Sequence, residues 1–370
     1  MKILFTCGGT AGHINPAVAL ARMFAERDGA EILFVGADGG METRLVPKEG
    51  FPLKTVTITN FRRSMAPKAV AHNAKTAVNI LHADLQAKRI LDEFRPDLVV
   101  GTGGYASFPV VKAAAKRGIP TAVHESNAVP GLTTKALSKV CNVVMVGFAE
   151  SKKHYDDPDK VVVTGTPVRG DFFVYTRKEA RARLGFTDDR PLLLSYWGSL
   201  GAQVMNGYTA ELILRENSLG APYRHIHGAG RDFASMTQTL AQAGMLACPG
   251  VEVREYIYDM PLVMAAADLV LCRSGASTVS ELSAIAKPSV LVPSPNVTAD
   301  HQTKNAKILS EAGGALLLPE SECSGEKLYE VVSSLLADEP RRQEMSRSLS
   351  RLAVADANER IYETLKGLLR

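Results

Sequence analysis

The sequence predicts an α/β protein of two doubly wound domains, and three observations carry that prediction. Short apolar runs recur along the chain, with helix-period segments between many of them. The runs form two successive series separated by a punctuated join. Glycine-rich loops follow several runs, where a strand would hand over to a helix. Strands buried on both faces read as near-continuous Val/Ile/Leu stretches, as a parallel sheet covered by helices requires.

The first series comprises KILFTC (2–7), EILFVG (31–36), DLVVGTG (97–103), TAVHE (121–125), NVVMVG (142–147) and KVVVTG (160–165). The second comprises PLLLSYWG (191–198), YRHIHGAG (223–230), VEVREYI (251–257), DLVLCR (268–273), SVLVPSP (289–295) and GALLLPE (314–320). Pro167 and Gly170 punctuate the join, in GTPVRGDFF (165–173). The expected division is a first domain over 1–167 and a second over 168–349, with a terminal helix at about 350–370 packing back on the first. Open α/β sheets take ligands outside the carboxyl ends of their strands, so a site is expected in a cleft between the two.

Composition narrows the class. With 370 residues, 46% of them hydrophobic, the chain has material for two cores. Its 43 basic and 39 acidic residues leave a net charge of +4 and no Arg-rich arm, which argues against a nucleic-acid partner. Five scattered cysteines without a C-x-x-C pair point to a reducing compartment, without structural disulfides or zinc. The apolar opening MKILF stops at Gly8-Gly9, too short for a signal peptide. No stretch approaches the ~18 apolar residues of a membrane span. The expectation is a cytosolic protein or one lying on a membrane surface.

RSGASTVSE (273–281) is the most informative stretch. A strand feeding a helix here leaves the first backbone N–H groups unsatisfied, with the positive end of the helix dipole behind them. That is a phosphate site, and Glu281, about two turns in, is placed to accept hydrogen bonds from a diol. The alternative is a Ser/Thr-capped helix packed on its sheet. Glycine loops GGTAGH (8–13), GTGGYASFP (101–109) and WGSLGAQVMN (197–206) also lie at strand ends. The first precedes a helix expected to begin near Asn15-Pro16. A dinucleotide fingerprint would need glycine at Cys7 and an acidic residue at Gly36, so a nicotinamide cofactor is disfavoured. Three such loops together favour an anionic ligand.

Single residues carry paired readings. His13 is either a neutral base at a helix start or a cap. His124, Glu125 and Asn127 in HESNAVPG (124–131) either line the cleft or satisfy a turn. Arg169 either pairs with a diphosphate or makes a salt bridge at the join. Gln302 and Asn305, three apart on one helix face, either read sugar hydroxyls or are solvated. His225, His227 and the other histidines show no metal-ligand spacing, so no metal is assigned.

GGTAGHINP, GTGGY, HESNAVPGLTTK, TPVR, GSLGAQVMN, RSGASTVSE and HQTKNA occur in an order and spacing that resembles the MurG family over nearly the whole chain. These are the undecaprenyl-diphospho-muramoylpentapeptide β-N-acetylglucosaminyltransferases of bacterial peptidoglycan synthesis. The resemblance implies a GT-B fold, two Rossmann-like doubly wound domains facing across a cleft. The first would bind acceptor and membrane, the second UDP-GlcNAc. The implied reaction is inverting transfer of GlcNAc from UDP-GlcNAc to the MurNAc C4 hydroxyl of lipid I, giving lipid II, with no cofactor. Thr10, Ala11 and Gly12 would lie near donor sugar and acceptor. Asn127 would contact the GlcNAc, Arg169 and Ser199 the diphosphate, and the backbone of Ile257 the uracil. Ala276, Ser277, Thr278, Val279, Ser280 and Glu281 would cradle the α-phosphate, with Glu281 on the ribose. Gln302 would read GlcNAc hydroxyls, and His13 would be the general base; Asn305 is expected as a substrate contact beside Gln302 from their shared helix face. The chain departs from the family's usual G-G-S-Q-G-A in having Trp197 and Leu200, and has Ala11 where glycine is common.

The lipid acceptor implies a peripheral enzyme on the cytoplasmic face of the cell membrane, against an anionic surface. Residues 61–90 combine Arg62, Arg63, Lys68 and Lys75 with Val70, Val78, Ile80, Leu81 and Leu85. Such a segment suits an anionic bilayer surface, or is an ordinary amphipathic helix turned towards its sheet.

Overall fold

A computed structural model describes residues 1–59, 67–198, 201–245, 250–297, 300–354 and 356–369, with the side chains of 11, 67–78, 80 and 81 left aside. The described residues divide into two compact units, Met1–Val168 with Val354–Arg370, and Arg169–Ala353. Each is a parallel sheet between helices.

In the N-terminal unit the strands are β1 (Lys2–Thr6), β2 (Glu31–Ala37), β3 (Leu53–Val56), β4 (Leu98–Gly101), β5 (Thr121–Glu125), β6 (Val143–Val146) and β7 (Val161–Val163). Their order is β3-β2-β1-β4-β5-β6-β7, every neighbouring pair parallel, with Phe5 of β1 in register with Phe34 on one side and Val100 on the other. The chain runs outward from β1 to β3 and then restarts at β4, so the order reverses between β1 and β4. Such a switch point leaves a crevice at the carboxyl ends of the two strands.

Alternation along the strands divides the core. Leu4, Val35 and Val99 face Ala83, Ala87 and Leu91 of α3 (Pro67–Phe94) and Val110 and Val111 of α4 (Ser107–Lys116). Ile3, Phe5, Phe34 and Val100 face Leu20 and Phe24 of α1 (Ala11–Asp28) and Ile361 and Leu365 of the final helix. A fully buried aliphatic or aromatic side chain contributes about 1.5–3 kcal/mol, so both faces hold the sheet.

Twelve of the thirteen strands found among the described residues lie on the apolar runs; β3 does not. Its sequence LKTV sits at the sheet edge with Lys54 exposed and only Val56 buried, so it never forms a continuous apolar run. The first helix also starts earlier than expected, at Ala11 rather than near Asn15-Pro16. Extended Thr10 offers its carbonyl to the N–H groups of His13 (3.0 Å) and Ile14 (3.3 Å), and the helix absorbs Pro16 at the loss of one backbone hydrogen bond.

The C-terminal unit repeats the plan with β8 (Leu192–Tyr196), β9 (Arg224–Gly228), β10 (Val251–Arg254), β11 (Leu269–Cys272), β12 (Ser289–Leu291) and β13 (Ala315–Leu317), in the order β10-β9-β8-β11-β12-β13. Here the order reverses between β8 and β11. Helices α7 (Gln203–Ser218), α10 (Ala276–Ala284) and α11 (His301–Glu311) start just beyond the carboxyl ends of β8, β11 and β12.

Candidate active site

In the N-terminal unit the first two glycine loops pack on each other. His13 is the third residue of α1, half-buried, with Nδ1 2.9 Å from the Gly8 carbonyl and 3.5 Å from Thr10 Oγ1. A carbonyl can only accept, so Nδ1 carries the proton and the neutral ring presents Nε2 as an acceptor. Thr102 Oγ1 donates to the His13 carbonyl at 2.6 Å. Gly103 and Gly104 have φ of +103° and +81°. A Cβ on Gly103 would stand 2.7 Å from the imidazole Cδ2, and one on Gly104 would stand 2.2 Å from the Gly8 oxygen. Only glycine lets this second loop lie against the ring. Thr10 is exposed and Gly12 half-exposed beside it.

The loop after β5 is organised by Glu125. Its Oε1 accepts from the backbone N–H (3.0 Å) and Nδ2 (2.8 Å) of Asn127, and its Oε2 from Gly131 N–H (3.0 Å). Asn127 is therefore held in place, half-buried, by a buried carboxylate. His124 is fully buried, with Nε2 donating to the Gly165 carbonyl at 2.9 Å, and burial lowers its pKa. Of the two readings of these residues, His124 and Glu125 take the turn-satisfying one.

In the C-terminal unit α10 begins without a side-chain cap. Gly275 occupies the N-cap in an extended conformation, and a Cβ added there would meet nothing within 4 Å. Val279 N–H already bonds the Gly275 carbonyl at 3.0 Å. Among the described residues, the N–H groups of Ala276, Ser277 and Thr278 have no acceptor and the buried Ser277 Oγ has no partner. Val279 is core and Ser280 Oγ donates to the Ala276 carbonyl at 2.9 Å, so these two residues build the helix rather than its ligand face. Glu281 is partly exposed and accepts no hydrogen bond from a described residue. Burial pushes its carboxyl up to about 7; the Arg169 charge opposes that rise and Asp171 adds to it. Arg169, half-exposed, pairs with Asp171 at 3.2 Å.

Ile257 follows β10, its side chain buried against Gly228, where a Cβ would stand 3.2 Å from Ile257 Cδ1. Its N–H and C=O are bonded to no described residue and can serve a planar heterocycle. Gln302 accepts the Ser294 N–H through Oε1 at 2.8 Å, while its backbone carbonyl accepts Ser274 Oγ at 2.9 Å. Asn305 is fully buried and donates to the Ser274 carbonyl at 3.3 Å. The pairing of Gln302 and Asn305 on one ligand-facing surface is thus corrected: Asn305 braces the loop before α10 from behind. Ser199 and Leu200 lie outside the described residues, and so does the side chain of Ala11. Trp197 is buried, donates Nε1–H to Thr209 Oγ1 at 3.0 Å, and has the Arg273 guanidinium over its ring at 5.7 Å. Its bulk enters the core, leaving the turn to Gly198 and Gly201, with φ of +92° and +74°.

The three glycine loops, the Glu125–Asn127 turn, Ile257 and the start of α10 all follow the carboxyl ends of strands, β1, β4, β8, β5, β10 and β11. Residues 3–146 match the glycosyltransferase family 28 N-terminal domain, and residues 196–361 match the C-terminal domain of that family. The UDP-N-acetylglucosamine–N-acetylmuramyl-(pentapeptide) pyrophosphoryl-undecaprenol N-acetylglucosamine transferase of Acetivibrio thermocellus is 41% identical, over 100% of this chain and 99% of its own. The enzyme of the same name from a Thermoanaerobacter species is 39% identical over 100% of both chains. The crystal structure of Acinetobacter baumannii MurG superposes with a TM-score of 0.76 at 28% identity, covering 99% of each chain.

The chain belongs to the MurG family of glycosyltransferases.

Membership identifies the two doubly wound units as a GT-B pair and the protein as a UDP-GlcNAc-dependent glycosyltransferase. One residue at the first loop escaped the sequence reading. Glu42, fully buried at the start of α2 (Glu42–Lys48), accepts the Gly9 N–H at 3.2 Å and the Ala37 N–H at 2.7 Å. Its only sequence signal is an acidic residue just after the glycines that follow β2, which by itself reads as an ordinary helix start.

Proposed function

We propose that the protein transfers GlcNAc from UDP-GlcNAc to the C4 hydroxyl of the MurNAc unit of lipid I, with inversion, releasing UDP and forming lipid II. The observation that carries the donor half is the open amino end of α10, where three N–H groups and the Ser277 hydroxyl have no partner among the described residues, followed by the Glu281 carboxylate. Diphosphate meets the helix amides and Arg169, the ribose diol donates to Glu281, the uracil bonds the Ile257 backbone, and Gln302 reads a sugar hydroxyl through its NH₂. Ser199 belongs to the diphosphate contacts on the resemblance alone.

The N-terminal unit supplies the acceptor chemistry. His13 Nε2 takes the proton of the C4 hydroxyl as that oxygen bonds to the anomeric carbon, while the bond from that carbon to the β-phosphate oxygen breaks. Charge building on the departing UDP is stabilised by amides and a guanidinium already in place, which need no reorganisation in the transition state. Asn127 holds the GlcNAc, and Thr10, Ala11 and Gly12 border sugar and acceptor. Because the acceptor is a membrane lipid, the enzyme works as a peripheral protein on the cytoplasmic face of the cell membrane, against anionic headgroups and with no nucleic-acid partner. No helix among the described residues is long and apolar enough to cross a bilayer.

The test is incubation of the purified protein with UDP-GlcNAc and a lipid I analogue. Stoichiometric UDP and the β-linked disaccharide lipid are expected. UDP release without disaccharide, or isomerisation of the donor without an acceptor, would replace this reading with a hydrolase or an epimerase.

A further inference from the structure

We infer that Glu42 is a positioning residue for His13, acting through the one peptide group that the two side chains share. The inference rests on His13 being the base. Glu42 Oε2 accepts the Gly9 N–H at 3.2 Å, and His13 Nδ1 donates to the Gly8 carbonyl at 2.9 Å. That N–H and that C=O belong to the same amide. A carboxylate on the N–H draws amide resonance towards the charge-separated form, which makes the carbonyl oxygen a stronger acceptor. Hydrogen-bonded chains polarise in this way, by perhaps 10–30% per bond. The chain therefore runs carboxylate, peptide, imidazole, and ends at Nε2. A carboxylate behind a histidine fixes tautomer and ring orientation and stabilises the imidazolium as it forms. Here a backbone amide is interposed between carboxylate and ring.

The surroundings are built to admit that carboxylate. A Cβ on Gly8, Gly36 or Gly40 would stand 2.9, 2.3 or 2.5 Å from a Glu42 side-chain atom. Three glycines thus leave room for one fully buried acid, and no cation pairs with it among the described residues. A buried carboxylate without a counter-ion is costly unless it is hydrogen-bonded, and here the N–H groups of Gly9 and Ala37 offset that cost. Topology brings it there. Glu42 follows β2 and the loop follows β1, its immediate neighbour in the sheet. The titratable neighbours do not compete for the role of base: Cys7 and Tyr105 are both pushed up, first by burial and then by the Glu42 charge.

The experiment compares wild type, Glu42→Gln and His13→Ala, with ¹⁵N-labelled histidine in the first two. Gln keeps the size but cannot present an acceptor to both Ala37 and Gly9. Losing a hydrogen-bond partner that orients a functional histidine lowers activity roughly 10–100-fold, and kcat of E42Q should fall within that range while KM for UDP-GlcNAc stays within about twofold. The wild-type His13 ring should show the Nδ1–H tautomer with a strongly deshielded Hδ1. In E42Q that proton should move upfield and the tautomers should mix. An unchanged His13 spectrum in E42Q overturns the inference, whether kcat is retained or falls together with donor binding and Tm. If E42Q does not fold, an Nε2–H tautomer in the wild type overturns it. If His13→Ala keeps its turnover, the base assignment fails instead, and the spectra still report whether Glu42 holds the ring.

Discussion

A ribose diol donates hydrogen bonds, so it binds the ionised form of Glu281, and burial has pushed that carboxyl up to about 7. Donor binding should therefore release a proton and tighten as pH rises through about 7. Calorimetry should find UDP-GlcNAc bound roughly tenfold less tightly near pH 6 than near pH 8, where one pKa unit is a factor of ten. Glu281→Gln should bind weakly and equally at both. A wild-type affinity that is flat across this range would take Glu281 out of the donor site. His13 makes the opposite demand, because a base acts in the transition state: His13→Ala should cut kcat by about 10²–10⁴ and leave donor Kd nearly unchanged. A variant that kept most of its turnover would make His13 a loop-bracing residue. Motif position was enough to single out both of these residues. Glu42 was not legible, because only the pairing of β1 with β2 carries residue 42 to residue 9. Nor could spacing tell Gln302 from Asn305: both sit on one helix face, and packing alone buries the second.

Between β8, β9 and α7 runs a chain of buried polar groups that no motif announces. Asn206 Nδ2 donates to the Ala229 carbonyl (2.8 Å) and to Asp232 (2.8 Å), so its Oδ1 accepts from His227 Nε2 at 3.0 Å. His227 Nδ1 must then accept from Ser195 Oγ at 2.7 Å, and that oxygen accepts from His225 Nε2 at 2.7 Å. His225 Nδ1 faces Glu216 at 3.0 Å, and Tyr223 donates to the same carboxylate at 2.7 Å. In sequence YRHIHG reads as a strand, but its alternating histidines give no sign of what they face; here that polar face is completed by α7 instead of solvent. Burial, and then the charge of His225, push the His227 pKa down from 6.5 to about 3. The unfolded chain therefore takes up a proton that the folded one refuses, and stability should fall as pH drops from about 6.5 towards about 3. The slope of Tm against pH in that window should flatten in His227→Gln, which removes the titrating group and keeps an amide to bond Asn206. An unchanged slope would place the acid sensitivity in the carboxylates alone. The edge strand β3 and the start of α1 escaped for related reasons. One alternates at an edge, and the other hides a proline in its second turn.

At the level of the whole chain, two series of apolar runs made the two-sheet architecture legible, because parallel strands covered on both faces leave little else for the sequence to encode. The chain is not divided in simple succession, however. After the C-terminal unit it returns in α14 (Ala357–Gly367), whose Ile361 and Leu365 complete the α1 face of the first sheet, with Lys366 on Asp28 at 2.8 Å. Membrane delivery belongs to this scale as well, and most of the segment that would carry it lies outside the described side chains: Arg62 and Arg63 among the residues left out, and Lys68, Val70, Lys75, Val78, Ile80 and Leu81 in the side chains left aside. What is described is the second half of α3, where Ala83, Ala87, Ile90 and Leu91 turn into the core and Leu85 is 56% exposed. That half packs on the sheet as an amphipathic helix would, and the membrane contact proposed for the segment rests on its sequence. The wild-type protein should then bind vesicles rich in anionic lipid more strongly than neutral ones, and less so as salt screens the attraction over about 10 Å at 0.1 M. Replacing Arg62, Arg63 and Lys68 together by glutamate should abolish the preference and lower activity on a long-chain acceptor embedded in a bilayer. A short-chain soluble acceptor should be used as before, because the donor and base groups lie on other elements. Equal loss on both acceptors would mean that the segment shapes the catalytic loops, and absence of vesicle binding at low salt would end the membrane role of this segment.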